Sequence, residues 1–156
     1  RLTSPIKNCY QSVTICYHSR EEMQQMIIYD EEVPFETLVG KTLTKVEYDK
    51  QNERIYFYEN DNKTVYALKH EQDCCESVSV EDICGDLSDL ENSPILIAEM
   101  VTNNKLPAPT KEQRDVSELW TFYKLATIKG SVDIRWFGSS NGWYSVEVSF
   151  MKGKDK

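Results

Sequence analysis

Three features of the sequence predict an α+β fold that is mostly antiparallel β-sheet, built from hairpins and a C-terminal three-stranded meander with one or two short helices. Apolar and polar residues alternate with period two over long stretches, as half-buried strands do. Short polar clusters rich in Asn, Asp and Gly separate those stretches at hairpin spacing. Aromatic residues are abundant (nine Tyr, five Phe, three Trp), and they favour pleated, half-buried surfaces. With 156 residues, 40% of them apolar and 28% charged, the chain makes one globular domain around a single core.

The elements follow in order. Ser12–Tyr17 carries a weak strand alternation. Ser19 and Glu22 have capping-box spacing, and Met23, Met26 and Ile27 form one apolar stripe, so a short amphipathic helix is expected over Arg20–Tyr29. Asp30-Glu31-Glu32 and Pro34 close it. Residues 1–37 read as an N-terminal extension, 38–152 as the β-rich core and 153–156 as a frayed tail. Within the core, Thr42–Tyr48, Arg54–Glu59 and Thr64–Lys69 are strands joined by the polar turns Asp49–Asn52 and Asn60–Asn62. Glu76–Asp82 is a fourth strand, Asp86–Leu90 one helical turn, and Ile95–Val101 a further strand. Thr102–Val116 is polar, holds two prolines and reads as an exposed excursion. Glu118–Ile128, Ser131–Phe137 and Trp143–Met151 then form the meander, with Asn141-Gly142 as the last hairpin turn. Trp120, Phe122, Ile134, Trp136, Val148 and Phe150 are expected in the core.

Charge is unevenly placed. The net charge is −8, which disfavours direct contact with nucleic acid or an anionic membrane. No apolar run approaches the roughly 20 residues that span a bilayer. His70–Val101 holds nine carboxylates and no Lys or Arg, together with three of the five cysteines, Cys74, Cys75 and Cys84. An odd cysteine count with two adjacent residues is read as reduced thiols, hence a cytosolic setting.

Gln72–Glu99 (QDCCESVSVEDICGDLSDLENSPILIAE) and Leu119–Ser145 (LWTFYKLATIKGSVDIRWFGSSNGWYS) resemble a family of domains of unknown function found mainly in bacteriophage and prophage genomes. The likeness covers about residues 38–150. It implies a phage or mobile-element origin and a small protein made in the host bacterial cytoplasm. It implies no activity and no catalytic residue.

Several chemistries can be weighed on the residues themselves. His70, Cys74, Cys75 and Cys84 offer four zinc ligands, but at spacings unlike those of zinc knuckles, and adjacent extended cysteines point to opposite sides. Glu81, Asp82, Asp86 and Asp89 could surround a hard cation, but they lack the alternation of an EF-hand loop; a solvated loop capped by Asp86 is the plainer reading. No metal site and no cofactor is therefore expected. A thiol nucleophile at Cys74 or Cys75 with His70 is disfavoured, because nearby acids raise a thiol pKa. The preferred reading is a non-catalytic acidic protein that binds the basic surface of a bacterial host protein and inhibits a defence or nucleic-acid-handling factor. Asp86, Asp89, Glu91 and Glu81 would steer that partner, and Trp143 and Tyr144 would anchor it, with Tyr56 and Tyr58 as further exposed aromatics. The alternatives are a metal-dependent or thiol enzyme centred on His70–Asp89, and a small-ligand-sequestering protein using the aromatic sheet face.

Overall fold

The computed structural model describes residues 27–103 and 117–155. Its strands are β1 (Ile27–Glu32), β2 (Leu43–Asp49), β3 (Arg54–Glu59), β4 (Thr64–Lys69), β5 (Glu76–Cys84), β6 (Ile97–Asn103), β7 (Ser117–Ala126), β8 (Ser131–Ser140) and β9 (Ser149–Asp155). They form a five-stranded sheet in the order β1-β9-β4-β3-β2 and a four-stranded sheet in the order β5-β8-β7-β6. Every strand pair is antiparallel. The two sheets pack face to face.

Period-two alternation decides which side chains meet between them. Ile55 and Phe57 of β3, Tyr66 and Leu68 of β4 and Phe150 of β9 come from one sheet. Tyr123 and Leu125 of β7 and Ile134 and Trp136 of β8 come from the other, and all nine are buried in one cluster. The 3-10 turn Phe35–Leu38 closes one side of this core. Its Phe35 ring stands edge-on to Tyr123 at 4.8 Å and to Phe150 at 5.1 Å, the arrangement that aromatic quadrupoles favour. A second, smaller cluster of Tyr56, Val65 and Ala67 lies on the other face of the five-stranded sheet, with Tyr29 and Tyr58 against it.

The early hairpins match the sequence expectation. Asp49 and Asp61 close the β2–β3 and β3–β4 turns by accepting backbone N–H groups of the residues two and three positions on, as turn aspartates do. Leu87–Leu90 is a single 3-10 turn, capped by the Asp86 side chain accepting from the Ser88 N–H. The helical content of the described residues is confined to such 3-10 turns, so the fold is an antiparallel β-sandwich and the α+β expectation fits only loosely.

Four expectations are corrected. The helix expected over Arg20–Tyr29 does not continue through its last residues: Ile27–Tyr29 open β1, where they pair with Asp155, Lys154 and Gly153 of β9. An open strand edge supplies a backbone ladder that outweighs local helix preference. Residues 20–26, like the Ser12–Tyr17 strand and the excursion at 104–116, lie outside the described residues. The tail is not frayed at 153–155, because β9 runs through it between β1 and β4. Nor is β9 the third strand of a meander with β7 and β8. Both edges of β8 are already taken, by β5 and β7, so residues 141–148 cross to the other sheet. Finally, the inward face of β7 is Thr121, Tyr123 and Leu125. Trp120 and Phe122 sit half-buried on the outer face, where Trp120 packs on Phe122 and Phe137.

Candidate functional site: an acid-rimmed cleft and a disulfide turn

The acidic stretch has no base of its own, but the fold supplies bases from elsewhere. Asp82 on β5 meets Arg135 across the β5–β8 ladder at 2.9 Å. Glu71 pairs with Lys69, and Arg54 stands 3.9 Å away. Glu99 lies opposite Lys124 in the β6–β7 register. Of the other acids, Glu76, Asp86 and Glu91 serve the backbone. Asp86 caps its 3-10 turn, and the Ser88 N–H and hydroxyl hold its carboxyl below the usual range. Glu91 reaches across to accept the Val46 N–H at 2.9 Å, while its carbonyl accepts from Lys129. The Asp89 carboxylate lies so close to Gly130 that a Cβ there would fall 2.7 Å from it. Glu81 is exposed and accepts from the Ser79 hydroxyl.

The expected aromatic anchors divide. Trp143 is 89% exposed and Tyr144 is half-buried. Tyr56, expected outside, is buried, because it faces the second cluster beside Val65 and Ala67. Tyr58 is half-buried, with the Lys45 ammonium 5.7 Å from its ring centre.

Cys74 and Cys75 correct the expectation of free thiols: they are joined in a disulfide on the exposed turn before β5. An extended pair would point its sulfurs apart. Here the backbone at Cys75 takes φ +66°, and the chain turns back on itself. Buried Glu76 anchors the turn. Its Oε1 accepts the Asp73 N–H at 2.5 Å and lies 3.4 Å from His70 Nε2, while its backbone carbonyl accepts from Gln72 Nε2. The Asp73 N–H, and then His70, hold the Glu76 carboxyl below its ordinary value. The Nδ1 of His70 sits 2.8 Å from the Glu147 carbonyl, so the ring bridges the turn to the segment that leads into β9. Cys84 is a free, exposed thiol; its hydrogen bond to Asp82 at 3.3 Å raises its pKa and works against the thiolate. Among the described residues no three His, Cys, Asp or Glu side chains converge in a metal-binding arrangement.

A feature not singled out in the sequence is a cleft of about 590 Å³ between the sheets. Its floor is apolar: Val33, Phe35, Leu119, Tyr123, Val148 and Phe150, with Met100 of the edge strand β6 at its mouth. Thr102 and Thr121 add hydroxyls. Glu32, Glu36 and Glu147 rim it, all three exposed, and among the described residues no Lys or Arg is in the lining. Burial, and then the nearby Glu32 charge, push the Tyr123 phenol well above its ordinary pKa, so it stays a neutral donor. The rim is hidden in the sequence because Glu32 reads as part of a helix stop and Glu147 falls inside the expected strand Trp143–Met151. Only their shared approach to Phe35 and Phe150 makes them a group.

The family model for a domain of unknown function, DUF7448, matches residues 36–150. The chain belongs to this family. The match begins at Glu36 on the cleft rim and ends at Phe150 on its floor, so it takes in the disulfide turn and most of the cleft. No curated protein and no solved structure matches the chain. Among the described residues no helix is long and apolar enough to cross a membrane.

Proposed function

We infer that this domain is a non-catalytic binding protein whose inter-sheet cleft receives a basic, partly apolar segment of a partner protein. The observation that carries the reading is the pairing of an apolar floor with three rim carboxylates that join none of the ion pairs among the described residues. A Lys or Arg side chain lays its aliphatic stem on apolar surface and keeps its charged head at the rim. The net charge of −8 steers such a partner from a distance and repels nucleic acid. The phage or prophage origin, the host bacterial cytoplasm as setting, and a host defence or nucleic-acid-handling protein as the inhibited partner rest on the family resemblance together with this charge.

The test begins with affinity capture from bacterial lysate and identification of the partner. Its affinity is then measured for the wild type and for Glu32→Gln/Glu36→Gln/Glu147→Gln over a range of salt. Exposed ion pairs are worth about 0.2–1 kcal/mol each, so the triple variant should bind about tenfold more weakly and show a flatter salt dependence. Unchanged affinity and salt dependence in the folded variant would overturn the cleft assignment. Glu81→Lys, on the acidic strand β5, is the companion variant: a larger loss there would move recognition to that strand.

A further inference from the structure

The disulfide joins neighbours in the chain, and this governs what it can do. A cross-link stabilises a fold mainly by closing a loop in the unfolded chain, and its effect grows with the length of that loop. Cys74 and Cys75 enclose no intervening residue, so the bond contributes little as a staple. Both residues are exposed, which leaves the sulfurs open to attack by an external thiolate. The turn that carries them is held independently of the bond. Glu76 accepts the Asp73 N–H, Gln72 donates to the Glu76 carbonyl, His70 ties Glu76 to Glu147, and the Asn141 N–H reaches the Cys75 carbonyl at 3.4 Å. Breaking the bond therefore frees two thiols on a turn whose anchors stay in place. Cys75, at φ +66°, is held in a region that side-chain-bearing residues seldom occupy, and it can relax once the ring is open.

We propose that Cys74 and Cys75 are a reversible redox pair, a thiol–disulfide exchange site whose co-substrate is a dithiol. A thiolate of the dithiol attacks one of the two sulfurs, the Cys74–Cys75 bond breaks, and the released sulfur takes up a proton. The second thiol of the co-substrate, as its thiolate, then displaces the mixed disulfide and frees the other cysteine, which is protonated in turn. In sum the protein disulfide gains two electrons and two protons, and the dithiol leaves as a disulfide.

The full chain is equilibrated with graded ratios of reduced and oxidised dithiothreitol, quenched with acid and alkylated with N-ethylmaleimide under denaturing conditions. No Lys or Arg interrupts residues 70–104, so trypsin releases 70–105 as one peptide holding Cys74, Cys75 and Cys84. The expected result is a single transition between one adduct and three. In Cys84→Ser it runs between none and two, with no loss of far-ultraviolet signal across it. The variant Cys74→Ser/Cys75→Ser should fold with an unchanged melting temperature and hold one adduct throughout. Three adducts at every ratio would mean that the two cysteines never pair. One adduct in the native protein at every ratio, with three after unfolding in reductant, would mean a locked structural bond. A fragment spectrum linking Cys84 to either cysteine would mean the wrong partners. Each of these results overturns the proposal.

Discussion

Trp136 offers a sharp test of how the sandwich is packed. It is 1% exposed, sits in the middle of β8 and shares the inter-sheet cluster with Ile134, Tyr123 and Phe150. Its indole Nε1 is buried and has no hydrogen-bond partner among the described residues. Two opposing terms follow. Trp136→Ala deletes the whole ring system from a core that can collapse only in part, and should cost about 3–5 kcal/mol. Trp136→Phe removes only about 40 Å³, which at about 24 cal/mol per Å³ of cavity is about 1 kcal/mol before the lost transfer energy. It also removes an N–H whose unpaired burial costs about 1–3 kcal/mol. The Phe variant should therefore lie within about 1 kcal/mol of the wild type while the Ala variant loses several. Urea unfolding followed by far-ultraviolet circular dichroism measures both, provided the slope with denaturant stays constant. Equal losses for the two variants would refute the orphaned N–H and, with it, the placement of the ring edge.

Glu91→Ala should cost about 1–3 kcal/mol in the same assay, because it leaves the Val46 N–H of β2 unpaired, whereas exposed Glu81→Ala should stay within about 0.5 kcal/mol. It follows that Asp86→Lys/Asp89→Lys/Glu91→Lys should melt well below the wild type. Gly138→Ala should destabilise by about 1–3 kcal/mol in the same urea assay, since its Cβ would fall 2.7 Å from the Val146 Cβ and 2.9 Å from the Val146 carbonyl oxygen. For pH, hydrogen bonds from the Thr64 hydroxyl and N–H lower the Asp61 carboxyl from 3.8 to about 2. A lowered folded-state value stabilises above the unfolded one, so Asp61 helps in full above about pH 4 and ceases to help as pH falls through 2. Asp61→Ala should melt lower at pH 6 and show a shallower decline in melting temperature between pH 4 and 2.

Local chemistry made some of this architecture readable in advance. The β2–β3–β4 hairpins declare themselves because Asp49 and Asp61 close their turns within three residues. Period two puts Ile134 and Trp136 on one face. Alternation identifies a strand but not its neighbour, so β9 was assigned to the wrong sheet. Trp120 and Phe122 went to the core on hydrophobicity, although register gives the inner face to Tyr123 and Leu125. The acidic segment misled for a similar reason: Arg135, Lys124, Arg54 and Lys69 are distant or outside it in sequence yet adjacent in space. Glu32, Glu36 and Glu147, more than a hundred residues apart at the extremes, become a site only when the end of β1, the 3-10 turn after it and the segment leading into β9 are brought together.

The position of β9 has a consequence for how the protein comes into being. Strands β1 and β4 never touch as a pair; each is zipped to the strand between them, which is the last of the described chain to be synthesised. During translation β2, β3 and β4 can assemble as a local hairpin stack and β6, β7 and β8 as another. Until residues 149–155 have been made, however, β1 has no partner and β4 keeps an open, apolar edge. The nascent chain thus passes through a stage in which both halves are preformed and one sheet is sticky along a whole strand. Such edges invite mispairing with other chains. A ribosome-bound chain with Val148 as the last residue to have emerged should therefore recruit chaperones, and one tethered so that Asp155 has emerged should release them.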